Sequence, residues 1–311
     1  MQIIAKTEQS SIAHVYVAKM GENKLIEFVE SLDPLMPREE KWILIISTLY
    51  GCPVKCKFCD AGDFYKGKLS KEELLAQIEY AIKEYYPDGH VPTKKFKIQF
   101  ARMGDPAFNF AVLDALEAIP TTFDVPGFLP SISSIAPRGT EEWFERLMEI
   151  KNRMYPLFQM QFSIHTTNTE QRDWLIPVKK WSFKEMADYG ERFFRDGDRK
   201  LTLNFALADN MELSADTLFE YFDPNKYLVK ITPVNPTYRA MKNNLDNAVK
   251  SEHDIDYIIE SLTKRGYDSI ISIGEIEENN IGSNCGQHII NYMNGNMKVD
   301  NSYTYKLKEK C

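Results

Sequence analysis

The chain has 311 residues, 43% hydrophobic and 12% aromatic, which is ample for a buried core in one large domain or two small ones. Its formal net charge of −7 and pI near 5.4 give no global attraction to phosphate backbones, so a nucleic acid would have to be held by a local basic patch. No apolar run approaches membrane-spanning length and no charged-then-apolar leader opens the sequence, which argues against a membrane partner and predicts a cytoplasmic protein.

In chain order, Ile12–Ala18 and Leu25–Glu30 read as two extended runs around a Gly21-Glu22-Asn23 turn, a β-hairpin. Pro34, Pro37 and a charged stretch mark a loop before the apolar run Trp42–Ser47, which has the length and branching of a buried strand. From there strands and helices alternate. Ser70 caps a helix over 71–85, and strands are predicted near 97–101, 128–135, 158–163, 201–206, 227–231 and 268–273. Helices fall between them at 110–119, from Thr140, at 182–194, from Ser214 and at 252–265. Six or seven β-then-α units without a repeat or low-complexity linker predict an α/β fold with one parallel sheet curled toward a barrel. Chemistry on such a sheet sits at the C-terminal ends of its strands.

Directly after the first of these strands comes Gly51-Cys52-Pro53-Val54-Lys55-Cys56-Lys57-Phe58-Cys59-Asp60, with three of the five cysteines spaced Cys-x3-Cys-x2-Cys. A cubane [4Fe-4S] cluster takes thiolate ligands at such spacings. A structural zinc site would need a further ligand pair, and no second Cys-x2-Cys or His-x3-His occurs; a zinc knuckle or unrelated thiols remain the alternative. A disulfide framework does not suit cysteines bunched in one loop of a long chain.

This loop, with Phe58 just before the last cysteine, resembles the radical S-adenosylmethionine (SAM) superfamily, in which Cys52, Cys56 and Cys59 would bind the cluster and leave one iron open for SAM. Met103-Gly104-Asp105-Pro106, Ser131-Ile132-Ser133-Ser134-Ile135-Ala136-Pro137, Ser163-Ile164-His165-Thr166-Thr167-Asn168, Ile231-Thr232-Pro233-Val234-Asn235-Pro236 and Asn284-Cys285-Gly286-Gln287 follow in order at strand ends and near the C-terminus. Over about residues 25–290 the set resembles the RlmN/Cfr family of RNA methyl synthases. The resemblance implies a partial (β/α)6 barrel at 41–275, an N-terminal hairpin extension at 1–40 and a closing C-terminal segment at 276–311. It also implies cofactor contacts by Phe58, Gly104, Asp105, Ser131, Ser163, Ile164, His165 and Asn235, and a reductant such as flavodoxin or ferredoxin. In the family one SAM methylates the cysteine matched by Cys285, and a second SAM yields the radical that activates that methyl group. Glu27 would approach the family's acid/base glutamate.

Two departures stand out. The family carries another catalytic cysteine seven residues before the first cluster ligand, and Ile45 stands there; an isoleucine cannot exchange disulfides. The hairpin also begins too near residue 11 to leave room for the family's helical RNA-binding domain. The sequence therefore predicts radical methyl transfer through Cys285 onto a nucleotide, small-molecule or RNA substrate. The alternative is a different radical reaction in which Cys285 donates a hydrogen atom or forms an adduct. His288 and Cys311 are further candidates for assisting release of the product.

Overall fold

The computed structural model describes residues 1–7, 12–33, 35–248, 255–272, 278, 281–283, 289–290, 293 and 307–309. Strands β1 (Gln2–Thr7), β2 (Ala13–Gly21), β3 (Lys24–Leu32) and β4 (Lys41–Ile46) lead into the short pair β5 (Leu49–Gly51) and β6 (Tyr65–Lys68). Then come α1 (Lys71–Tyr85), β7 (Lys95–Phe100), α2 (Ala111–Thr122), β8 (Phe128–Ser134), α3 (Glu141–Met154), β9 (Gln159–Ser163), α4 (Thr169–Leu175) and α5 (Phe183–Phe193). The remainder is β10 (Leu201–Leu207), α6 (Ala215–Tyr221), β11 (Tyr227–Pro233), α7 (Tyr238–Lys242), α8 (Asp256–Lys264), β12 (Ser269–Ile271) and β13 (Leu307–Glu309).

Among the described residues, eleven strands form one sheet in the order β12-β11-β10-β9-β8-β7-β4-β3-β2-β1-β13. The seven from β4 to β12 that follow the strand–helix rhythm pair in parallel, and β3, β2, β1 and β13 continue the sheet antiparallel. All seven predicted barrel strands form. The hairpin also forms, with Asn23 supplying a positive φ of 56° at its turn, a conformation Asn tolerates better than most residues. Strands β1 and β13 had no prediction; they join the two ends of the chain through Ala5 opposite Glu309.

The local causes are those the sequence suggests. Ser70 and Ser182 close capping boxes with Glu73 and Glu185, satisfying orphan amides at both ends of the motif. In β7 the residues alternate strictly, with Phe96, Ile98 and Phe100 buried beneath the helices and Lys95, Lys97 and Gln99 on the other face. That other face is mixed: it carries Ile43 and Ile45 on β4, Leu129 and Ser131 on β8, Gln161 and Ser163 on β9, Thr202 and Asn204 on β10, and Leu228, Lys230 and Thr232 on β11. Lys97 on β7 and Lys230 on β11 lie on this same face, with three strands between them. No described helix is long and apolar enough to cross a membrane.

Candidate active site

The cysteine loop leaves the C-terminal end of β4 and is folded back on itself by its own backbone. The Cys52 amide donates to Ala61 O at 2.7 Å and Phe64 O at 3.2 Å, the Cys59 amide to Cys56 O, and the Gly62 amide to Cys59 O. Gly51 has φ +80°, and a Cβ there would collide with the Phe64 carbonyl; a Cβ on Gly62 would come within 2.6 Å of Lys55 Cα. Both glycines are required by the tightness of the wrap.

Residues far along the chain hold the loop from outside. Arg239 donates from Nε to Cys56 O and from Nη2 to Lys55 O, both at 3.0 Å, and pairs with Asp63. Asn243 donates to Lys57 O at 2.9 Å, Thr237 to Phe58 O at 2.8 Å, and the Lys57 amide to Leu175 O at 2.9 Å. Asp60 accepts from the amides of Tyr238 and Arg239 at the start of α7. Sequence reasoning identified none of these holders. Most reach across more than 170 positions, and short α7 carries no periodic signal.

None of the three cysteines forms a disulfide. Burial, with the Asp105 charge, pushes Cys52 up to about 11 against backbone hydrogen bonds that lower it; burial together with the neighbouring Cys59 and Cys52 pushes Cys56 well above the ordinary thiol value. Crowded thiols of this kind resist ionisation unless positive charge is brought among them, so the donor set fits an iron–sulfur cluster. Among the described residues no three His, Cys, Asp or Glu side chains converge to hold a single metal ion.

Beside the loop, Gly104 (φ +87°) lies so close to Leu49 that a side chain would clash, and Thr48 and Leu49 donate their amides to Met103 O. Asp105 is buried and accepts from Ser134 Oγ at 2.8 Å and from the amides of Ile135 at 2.8 Å and Ala107 at 3.0 Å. It therefore ties the end of β7 to the end of β8, while burial holds its pKa up at about 6. Ser131 is fully buried, with Gln161 Nε2 at 3.4 Å from its hydroxyl. Ser163 ends β9 opposite Asn204, and the Ile164 amide donates to Asn204 O. His165, at φ 66°, accepts the Ala206 amide on Nδ1 at 2.9 Å and meets the Phe58 ring edge-on at 4.8 Å. Burial, then Arg172, lowers its pKa to about 3; the ring is neutral, with its proton on Nε2. Asn235 accepts the Thr237 amide at the entry to α7. Phe58, Gly104, Asp105, Ser131, Ser163, Ile164, His165 and Asn235 thus fall at or beside the C-terminal ends of the parallel strands, with the cysteine loop.

The search for relatives returned many proteins of one kind. "Dual-specificity RNA methyltransferase RlmN 2" of Myxococcus xanthus is 26% identical over 67% of this chain and 55% of its own length. "Probable dual-specificity RNA methyltransferase RlmN" of Petrotoga mobilis is 24% identical over 91% of this chain and 77% of its own. "Ribosomal RNA large subunit methyltransferase Cfr" of Bacillus velezensis is 28% identical over 62% and 54%. The fold matches that of a radical SAM methyltransferase from Sphaerobacter thermophilus with a TM-score of 0.69 at 18% identity, covering 92% of this chain and 81% of that one. The chain is similar in sequence to RlmN and Cfr RNA methyltransferases and in fold to a radical SAM methyltransferase. No family model matches it, and it spans little more than half the length of several of these relatives.

Glu27, on β3, is wholly buried. It pairs with Arg102 at 2.7 Å and accepts the Ile289 amide at 2.9 Å. Arg102 also donates to the carbonyls of Ser283 at 2.9 Å and Gly282 at 2.6 Å. The pair therefore grips the backbone on both sides of 284–288. Cys285 and His288 lie outside the described residues, as does Cys311. Ile45 packs with Ile12, Ala13, Val15, Val29 and Ile281, an apolar seat that now contacts the segment leading to Gly282. Arg102 was missed in the sequence, although it stands directly before Met103-Gly104-Asp105.

Proposed function

We propose that this protein is a radical SAM methyltransferase that acts through Cys285 on a small-molecule, nucleotide or RNA substrate. The observation that carries the reading is the loop of Cys52, Cys56 and Cys59, braced at the C-terminal end of β4 against Gly104 and Asp105. Bound there, a [4Fe-4S] cluster and SAM would supply one-electron cleavage of a sulfur–carbon bond, with flavodoxin or ferredoxin as the reductant.

The chain's own residues would do the rest. The Gly104 backbone, which carries no Cβ, and the Asp105 carboxylate present a close, anionic edge to an ammonium group. Neutral His165 adds no positive charge beside a sulfonium and offers Nε2–H as a donor. Phe58, Ser131, Ser163, Ile164 and Asn235 complete the wall. Glu27 accepts the Ile289 amide and its partner Arg102 donates to the carbonyls of Gly282 and Ser283, on either side in sequence of the stretch that contains Cys285. The apolar packing of Ile45 places no thiol where the family has its second cysteine, so release of product must follow another route.

Reconstituted anaerobically, the protein should bind about four irons per chain and, once reduced, convert SAM to 5′-deoxyadenosine. The intact mass should show a methyl group on the peptide containing Cys285. Stoichiometric zinc without SAM cleavage would overturn the reading. SAM cleavage with full turnover in Cys285→Ala would replace it with radical chemistry that does not pass through Cys285.

A further inference from the structure

We propose that the outer surface of the cysteine loop, made of Lys55 and Lys57 together with Trp174 of α4, is the docking site for a small acidic protein that delivers single electrons. The proposal rests on the radical reading above and adds to it the place at which the reductant binds.

Lys55 and Lys57 flank Cys56 in sequence, so a protein that covers them stands next to a thiol of the candidate cluster site. Lys55 is exposed, Lys57 and Cys56 are half-buried, and the Cys56 thiol itself is buried. Lys57 Nζ lies 5.8 Å from the centre of the Trp174 ring. The Lys57 amide donates to Leu175 O at 2.9 Å, which sets the end of α4 against the loop. The two lysines and the tryptophan are therefore parts of one surface.

Two features of that surface point to a protein partner. Trp174 is 44% exposed, whereas Trp42, Trp143 and Trp181 are buried; an indole left in water beside a cation has the composition of an interface anchor. The second feature is charge. The other cations at the loop are already engaged, Arg239 with Asp63 and the loop carbonyls and Lys180 with Asp173. Among the described residues Lys55 and Lys57 form no ion pair, and Glu170, one turn before Trp174, is the one carboxylate of α4 without a cation. A positive edge on a chain of net charge −7 attracts an acidic protein while the rest of the surface repels it, which steers the partner to this place. Arg239, Asn243 and Thr237 hold the loop backbone from behind, so little ordering is left for the partner to impose. RNA suits the surface less well, because its affinity at ordinary salt is built from many phosphate contacts.

The test is calorimetric titration of the full chain, reconstituted anaerobically, with flavodoxin. On the same preparation, SAM cleavage is driven either by reduced flavodoxin or by dithionite, a small reductant that needs no docking. Flavodoxin should bind the parent with an affinity that falls as salt rises. Lys57→Glu and Trp174→Ala should each weaken binding by about tenfold, the scale of a hot-spot residue, and slow flavodoxin-driven cleavage while leaving dithionite-driven cleavage at the parent rate. Iron content and thermal melting check that both variants are intact; Trp174 lies outside the loop, so its variant tests the surface even where Lys57→Glu disturbs the cluster. Unchanged flavodoxin affinity in Trp174→Ala, or binding indifferent to salt, would overturn the site. So would a short RNA oligonucleotide that displaces flavodoxin and itself loses affinity in Lys57→Glu, because the surface would then belong to RNA. Cleavage with dithionite but no binding of flavodoxin removes the docking claim alone, and no cleavage with dithionite in the parent removes the radical reading and the docking claim with it.

Discussion

Burial disfavours negative charge at the C-terminal ends of the parallel strands, where it raises Cys52, Cys56 and Asp105, and positive charge in the middle of the same sheet, where it lowers Lys97. Asp105 is already engaged by Ser134, Ile135 and Ala107, so its charge is partly answered by the chain itself. The seam between β3 and the C-terminal segment differs from both, because Glu27 and Arg102 supply each other's counter-charge and also hold backbone. Crowded buried thiols are the mark of a place where a ligand supplies positive charge; a buried ion pair of opposite charges marks architecture.

The largest effect that would break this contrast is at the thiols. Cys56→Ala should lose iron binding and SAM cleavage entirely, yet the cluster-free protein should melt within about 1 °C of the parent. A neutral buried thiol contributes little more than its volume, and a stability change of a few tenths of a kcal/mol moves the melting point of a chain this size by about that much. A large loss of stability in the cluster-free variant would show that the loop is structural first.

Next in size is the seam. Arg102→Leu leaves the Glu27 carboxylate buried without its cation, which costs about 3–5 kcal/mol. Amide exchange at Ile289 should accelerate in step, because its acceptor would be protonated or displaced. The double variant Glu27→Leu/Arg102→Leu should recover much of the stability, since a buried ion pair is replaceable by apolar groups of similar volume, but it should not restore slow exchange at Ile289. Recovery of both would reduce the pair to packing.

Sequence made the sheet readable because seven strand–helix alternations carry strong local signals. What it hid is of two kinds. Arg239, Asn243 and Thr237 brace the loop across 176 to 186 positions, contacts that local patterning does not encode. Lys97, by contrast, was in plain view. The run Lys95-Phe96-Lys97-Ile98-Gln99-Phe100 alternates perfectly, but nothing local tells that Lys97 lies between Ile43 and Leu129 and is lowered by burial. Asp105 shows a similar limit: its sequence position suggests a group open to ligand, whereas three donors of the chain already engage it.

The smallest predicted effect bears on the other half of the contrast, and pH resolves it. In the unfolded chain Lys97 titrates near its ordinary 10.5, and in the folded chain near 7. Between those values the unfolded state holds a proton that the folded state has released, so this residue makes stability rise with pH across the window. Below pH 7 both states are protonated and the cost of the buried charge is fully present. Lys97→Met removes that cost, and the variant should exceed the parent by about 1–3 kcal/mol at pH 6, within the range found when buried charges give way to apolar groups. The advantage should shrink toward zero as pH approaches 10. An advantage for Lys97→Met that is independent of pH would mean that the side chain is merely poorly packed rather than held charged at a cost.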